Sequence, residues 1–372
     1  MSVRYIYQRQ GWPKFTWNIE GIITKVSTIR LQQGRLVGRM LALGFPYADE
    51  ASLDMVSDNI VKSSAIEGEH LDLSQVRSSV ARQLGVEVAG LKESGRYVDG
   101  VVAMTLDATQ MYDKPLTQDR LFGWHAALFP APYSSTRRIK VAAWREDKNG
   151  PMQVISGVVG KEQVHFEAPP AKCVDSEMQR FLAWFNASGN LEPVIKAGMA
   201  HLWFVTIHPF DDGNGRIARA ITDMCLAQSE QCSRRFYSLS NQFLNFRNDY
   251  YNELEHAQKG TLDISRWLEW FLEMLATAIT GAEAKLSHVL LKGEFWHRFR
   301  NVPLNARQIL VVNRLLDGFD GNLTTLKYSK LVKCSTDTAL RDVTELIAFG
   351  LVRKKPAGGR STAYELIMDK RT

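Results

Sequence analysis

Apolar positions recur at helical spacing along most of the chain. Ala51 to Ile66 puts Leu53, Val56 and Ile60 on one face and stops at Gly68, which predicts a helix. Leu121 to Phe129 and Ser176 to Phe185 are shorter stretches of the same kind. Pro193 to Ile207 is apolar nearly all round, the pattern of a buried helix. Arg216 to Ala227 repeats the period through Ile217, Ile221 and Met224, and Asp263 to Ile279 predicts another long helix. One segment differs. Met152 to Ala168 alternates (Val154, Ser156, Val158, then Val164, Phe166) and ends at Pro169-Pro170, which predicts a β-hairpin.

The last 70 or so residues change style. Asn305 to Leu316 and Thr325 to Lys333 read as helices. Ser335 is placed to cap a third, with Ala339, Leu340, Val343, Leu346 and Ile347 at helical spacing and Gly350 after them. Leu351 to Lys355, a turn at Pro356 to Gly359, and Arg360 to Leu366 then read as two strands. Three helices and a hairpin describe a winged helix-turn-helix. The expectation is a mainly α protein: an N-terminal helical region over 1–95, a helical core with a hairpin over 96–290, and a winged-helix domain over 301–372.

Charge sharpens that division. The 372 residues carry a formal net charge of +6. Asn301 to Thr372 hold 12 Lys/Arg against 7 Asp/Glu, and the preceding 300 residues hold 34 against 33. A nearly neutral body is followed by a basic module, which points to an anionic partner such as DNA. At 45% hydrophobic and 23% charged, the chain has ample apolar material for packed cores, so disorder is excluded as its main state. Cys173, Cys225, Cys232 and Cys334 have no C-x-x-C spacing, against a zinc site or disulfide framework. The N-terminus lacks the apolar core of a signal peptide, and no apolar run is long enough for a membrane span. The expected address is therefore the cytoplasm, with no membrane partner.

The densest chemistry lies at His208-Pro209-Phe210-Asp211-Asp212-Gly213-Asn214-Gly215-Arg216-Ile217-Ala218-Arg219, between two predicted helices. Gly213 and Gly215 let the backbone turn its N–H groups toward one point. The next helix starts near Arg216, so its first amides and its dipole face that point too. Arg216 and Arg219 share a helix face. These parts form a polyphosphate site. Carboxylates beside an anion site are costly without a bridging cation, which predicts Mg2+ held by one carboxylate and the phosphates. His208 at the mouth is the natural base.

This segment resembles the Fic family signature, His-x-Phe-x-Asp/Glu-Gly-Asn-Gly-Arg-x-x-Arg, without a departure, and the resemblance covers roughly Val98 to Ala282. It implies transfer of AMP from ATP to a hydroxyl of a target protein or of the chain itself. By the resemblance, His208 deprotonates the acceptor and Asp212 binds magnesium. Gly213, Asn214 and Gly215 hold the α- and β-phosphates with help from Arg216, and Arg219 grips the γ-phosphate. Phe210 anchors the loop. Val154, Ile155, Ser156 and Gly157 form a flap strand that pairs with the target and closes over the nucleotide. Tyr250, Tyr251 and Gln258 fall where members contact the adenine.

Ser63-Ser64-Ala65-Ile66-Glu67-Gly68 resembles the family's inhibitory motif, Ser/Thr-x-x-x-Glu-Gly/Asn, in the class where it precedes the core. That resemblance implies a Glu67–Arg219 ion pair that denies Arg219 to the γ-phosphate. Trp12, Phe15 and Trp17 are expected to pack onto the helical body. In the basic module, Arg353, Lys354, Lys355 and Arg360 flank the wing turn, whereas Asp337, Asp342 and Glu345 lie on the third helix. DNA binding and protein docking stay open there. The alternative functions are a DNA-binding regulator with a nucleotide-sensing or self-modifying core, and a Fic enzyme that removes AMP or moves another nucleotide group. A homodimer is a further expectation.

Overall fold

The computed structural model describes residues 4–42, 45–86, 91–134, 137–148, 150–156, 163–187, 189, 191–316, 318–319, 321–356 and 362–368. After one 3-10 turn at Ile6–Gln8 come α1 (Ile19–Ala42), α2 (Phe45–Ile66), α3 (Leu73–Leu84), α4 (Arg96–Gln110) and α5 (Gln118–Leu128). Strands β1 (Tyr133–Ser134) and β2 (Arg137–Arg138) pair antiparallel, as do β3 (Gln153–Ser156) and β4 (Gln163–Glu167). Then follow α6 (Ala171–Asn186), α7 (Pro193–Ile207), α8 (Asn214–Glu230), α9 (Leu239–Asn245), α10 (Arg247–Lys259) and α11 (Ser265–Arg298). The chain continues with α12 (Ala306–Leu316), α13 (Thr325–Val332), α14 (Thr336–Ala348) and the antiparallel pair β5 (Val352–Lys354) and β6 (Tyr364–Leu366). The protein is mainly helical. Among the described residues no helix is long and apolar enough to cross a membrane.

The chain forms two compact units, Met1–Gly38 with Ala48–Glu283, and Arg39–Tyr47 with Ala284–Thr372. At the centre of the first, α7 packs along α8. The apolar run of α7 leaves it no polar face, so Val194, Ile195 and every residue from Ala197 to Ile207 are buried. Each large aliphatic or aromatic side chain placed there contributes about 1.5–3 kcal/mol of transfer free energy. Pro193 opens the helix, where its missing N–H costs nothing, and the Glu192 carboxylate accepts from the N–H groups of Val194 and Ile195. α4 packs on α5 and α8, and α6 on α7. Trp12 and Phe15 pack on Trp203 of α7, with ring centroids 6.1 and 6.0 Å away.

In the second unit α12, α13 and α14 surround a core that includes Val311, Tyr328, Val343 and Leu346, closed by Val352 of β5 and Tyr364 of β6. Ser335 caps α14 by accepting the Thr338 N–H. Asp342, an acid expected on the helix face, is buried instead. It takes Arg307 Nε at 2.8 Å, the Tyr328 hydroxyl at 3.0 Å and the Asn305 amide at 3.1 Å. Burial opposes its charge, but the Arg307 guanidinium outweighs this and holds the carboxyl below the usual range. Glu345 accepts from Gln308 at 2.8 Å. Arg360 and residues 357–359 of the turn before it lie outside the described residues.

Candidate functional site

α7 ends because Pro209 cannot extend it and keeps His208 out of the right-handed region. His208 takes φ 53°, a conformation uncommon outside glycine, at the C-cap. Its Nδ1 lies 3.3 Å from the Val205 carbonyl, an acceptor, so the proton sits on Nδ1 and Nε2 is left to accept. Burial pushes the imidazole down to about 4, so the ring is neutral at pH 7.

The following loop is held by groups far away in sequence. Arg145 donates from Nε to the His208 carbonyl at 2.7 Å and from Nη2 to the Pro169 carbonyl, and its N–H reaches the Pro209 carbonyl at 2.9 Å. The ring of His125 stacks on Phe210 with centroids 4.2 Å apart, and Phe210 is fully buried. The Ala142 N–H donates to His125 Nδ1 at 3.0 Å, so Nε2 carries the proton toward the Asp212 carbonyl, 3.2 Å away. Asn214 turns its amide inward: Oδ1 accepts the Phe210 N–H at 3.0 Å and Nδ2 donates to the Phe210 carbonyl at 2.8 Å. Its side chain closes the loop, leaving its backbone N–H for a ligand.

Gly213 caps α8, and the first-turn N–H groups of Asn214, Gly215 and Arg216 have no acceptor within the helix. Arg216 and Arg219, three residues apart, are 2% and 3% exposed, and both stand at this helix end. Arg216 Nε and Arg219 Nη1 are buried donors with no hydrogen-bond acceptor among the described residues. Arg219 is otherwise engaged by the end of α2. Its Nε donates to Ser63 Oγ at 2.8 Å, and its Nη2 donates to the Ser63 carbonyl at 2.9 Å and to Glu67 Oε1 at 2.8 Å. Burial works against the Arg219 charge, and Glu67 overcomes this to raise its proton affinity. The Glu67 carboxylate rests so close over Gly215 that any Cβ there would run into Oε1. A carboxylate thus lies in the cradle built for an anion. Gly68, at φ 83°, turns the chain away after it.

The two acids of the loop divide. Asp211 accepts the Lys140 N–H at 2.8 Å. Asp212 accepts the Gly213 N–H and the Ser134 hydroxyl, and lies 3.7 Å from Arg216. Among the described residues no three His, Cys, Asp or Glu side chains converge on a metal position. A single hard carboxylate beside unpaired phosphate-type donors fits a magnesium ion that draws its other ligands from phosphates and water.

Of the expected adenine contacts, Tyr250 is 1% exposed, stacked on Phe243, and its hydroxyl hydrogen-bonds His201 Nε2 at 2.8 Å. His201 Nδ1 donates to Thr222 Oγ1 at 2.9 Å, since that hydroxyl already donates to the Ala218 carbonyl. Gln258 is also buried, with its Nε2 3.5 Å from the Val205 carbonyl at the end of α7. Tyr251 is half-buried, with its hydroxyl 3.3 Å from the Ile66 carbonyl and 3.5 Å from Glu67 Oε2.

In the hairpin, Val154 pairs with Phe166, Ile155 with Val164 and Ser156 with Gln163, with a bulge after Val154. Among the described residues the other edge of β3 pairs with no strand, and Ile155 is 54% exposed. A cleft of about 750 Å³ is lined by Gln153 and Ile155 of β3, Arg138, Lys140 and the loop's Asp211. Ser156 Oγ lies 2.6 Å from His165 Nε2, and His165 Nδ1 lies 2.6 Å from Glu255 on α10, which ties the hairpin to the helical body. Gly157 lies outside the described residues. Sequence reasoning missed Arg145, His125, His165 and Glu255; no motif or spacing marks them.

The fold thus brings a neutral histidine, a helix N-terminus and two buried arginines together at one place. Residues 115–226 match the Fic/DOC family, and residues 5–86 match a model described as Domain of unknown function (DUF4172). The chain carries a Fic/DOC domain. It is 28% identical over 216 residues to a protein adenylyltransferase Fic of Nematostella vectensis, across 55% of this chain and 44% of that protein. It is 26% identical over 242 residues to a protein adenylyltransferase Fic of Culex quinquefasciatus, across 62% and 43%. The chain thus spans less than half the length of these curated relatives. The crystal structure of a Fic family protein from Desulfovibrio desulfuricans G20 shares the fold, with a TM-score of 0.55 and 19% identity over 94% of this chain and 97% of that one.

Proposed function

We propose that this protein is a self-inhibited protein adenylyltransferase. It moves AMP from ATP to a Ser, Thr or Tyr hydroxyl of a target protein or of itself and releases pyrophosphate. The observation that carries this reading is the occupied cradle: Glu67 sits over Gly215 and pairs with Arg219 at 2.8 Å, where a terminal phosphate would be gripped. With Glu67 withdrawn, the first-turn N–H groups of α8 and Arg219 face the phosphates. The acceptor hydroxyl attacks the α-phosphorus while His208 Nε2 takes its proton and pyrophosphate leaves. Asp212 would hold magnesium, which supplies charge neutralisation on the phosphates. The free edge of β3 suits an extended target segment added as a third strand.

Incubation of the Glu67→Gly variant with α-labelled ATP and magnesium tests it. Label is expected on the chain itself or on proteins of a cell extract, and loss of label in Glu67→Gly/His208→Ala. A folded Glu67→Gly variant that labels nothing overturns the reading. Release of AMP from modified protein, or transfer of a different nucleotide group, would assign the site to those reactions instead.

For the second unit we propose a winged helix-turn-helix that binds DNA. Burial of Asp342 favours this, because it removes one acid from the exposed face of α14, on which Arg341 is exposed. DNA affinity that falls steeply with salt is expected; no binding at low salt leaves protein docking as its role.

A further inference from the structure

Glu67 has a neighbour that does the same thing to the other arginine. Glu69 lies on the far side of Gly68, and Arg216 Nη1 donates to Glu69 Oε1 at 3.1 Å and to Tyr97 Oη at 2.6 Å. The Tyr97 hydroxyl in turn donates to Glu69 Oε2, which closes a triangle between the turn after α2, α4 and α8. Arg216 is 2% exposed, so its charge is costly without partners. Asp212 lies 3.7 Å from it, beyond hydrogen-bond distance, and Phe129 offers only its ring face at 5.2 Å. Among the described residues, Glu69 and Tyr97 therefore supply its short polar contacts. Both arginines of the phosphate cradle are thus held by carboxylates from one Glu-Gly-Glu turn.

We propose that Glu69, with Tyr97, is a second latch on the nucleotide site. It keeps Arg216 turned toward α4 and away from the polyphosphate of a nucleoside triphosphate, independently of Glu67. This rests on the self-inhibited transfer reading. Glu69 acts only through Arg216 and is a positioning residue. Two carboxylates stand where two phosphate charges would be met, so removal of Glu67 frees Arg219 and leaves the second arginine engaged. Full release requires the whole turn to leave.

The test compares the full-length chain as Glu67→Gly, Glu69→Ala, Glu67→Gly/Glu69→Ala and Glu67→Gly/Tyr97→Phe. Calorimetry without magnesium gives the affinity for a nonhydrolysable ATP analogue, and α-labelled ATP with magnesium gives self-labelling. The double carboxylate variant is expected to bind the analogue about five- to tenfold tighter than Glu67→Gly, the scale of one charge-assisted contact at a half-exposed acid. Tyr97→Phe in the Glu67→Gly background shifts affinity in the same direction by less. Equal or weaker binding by the double variant, with an unchanged thermal transition, overturns the latch. Should Glu69→Ala not fold, Glu69→Gln in the Glu67→Gly background carries the test with the same expected sign. Stepwise tightening without label in any variant would remove the transfer reading and keep the latch. Label gained on Glu67→Gly, with no tightening from the Glu69 substitutions, would do the reverse.

Discussion

Glu67 Oε1 and Arg219 Nη2 lie 2.8 Å apart across 152 residues of sequence, at the N-terminal end of α8. The guanidinium is almost fully buried and the carboxylate about a third exposed. The pair joins the last turn of α2 to the helix that supplies the phosphate cradle. Glu67→Gly is expected to raise the initial rate of AMP labelling by about 10- to 100-fold, the loss of one partly buried charge-assisted contact. Arg219→Ala should not be rescued by it, because the arginine itself is then missing from the phosphate. Initial rates with α-labelled ATP check both.

With His208 as the proposed base, its protonation is expected to set the acid limb of the labelling rate. Its imidazole is lowered to about 4 by burial, so it stays a neutral base through the physiological range. The labelling rate of Glu67→Gly should be flat from pH 8 to about pH 5 and fall only as pH approaches 4. A fall centred near 6.5, the ordinary histidine value, would refute the enclosed, neutral ring.

The same shift, with those of His125 (to about 4) and His201 (to about 3), enters stability. Each ring binds its proton more weakly folded than unfolded. Between about pH 6.5 and pH 4 the unfolded chain therefore takes up more protons, so stability falls as pH drops through that window and is level above it. Urea midpoints measured at pH 7.5, 6 and 5 should decline in that order.

Arg145 is fully buried in its side chain and straps the His208 and Pro169 carbonyls together. Arg145→Met leaves those carbonyls without donors. A loss of about 2–4 kcal/mol in unfolding free energy is expected, with a fall in the labelling rate of Glu67→Gly larger than any change in analogue affinity, because the strap holds the base and not the phosphate.

In the second unit, Asp342→Ala strands Arg307 and the Tyr328 hydroxyl. A loss of about 2 kcal/mol is expected, discounted because Arg307 is 42% exposed. Proteolysis should then cut within Ala306–Ala348 sooner, with analogue binding to the first unit unchanged.

Much of the helical body is legible in the sequence. α7 announces itself by an unbroken apolar run, and the cradle by two glycines and two arginines at fixed offsets, because those signals are local. α1 is not among the helices read from the sequence: Ile22, Val26, Ile29 and Leu36 share one buried face, but long polar side chains between them blur the period. The side chains that reach the loop across the fold were not legible. His125, Arg145 and Tyr97 act only through neighbours that tertiary packing brings to them, and nothing beside them in sequence carries that information. Tyr250 is a further case: the resemblance places it near a ligand, and its bond to the buried His201 is nowhere written in the local sequence.

The hydrogen-bond chain Thr222–His201–Tyr250 runs through α8, α7 and α10, with all three groups buried. It welds those helices into one plate directly under the cradle, and bending the plate would strand polar atoms in a dry core. Arg247 and Tyr251 both donate to the Ile66 carbonyl at the end of α2, so on the proposed self-inhibited reading release of Glu67 runs through that end and leaves the helices beneath it in place. Those two donors tie the turn that carries Glu67 and Glu69 to α10, so the anchor of both carboxylates lies outside the helices that build the cradle.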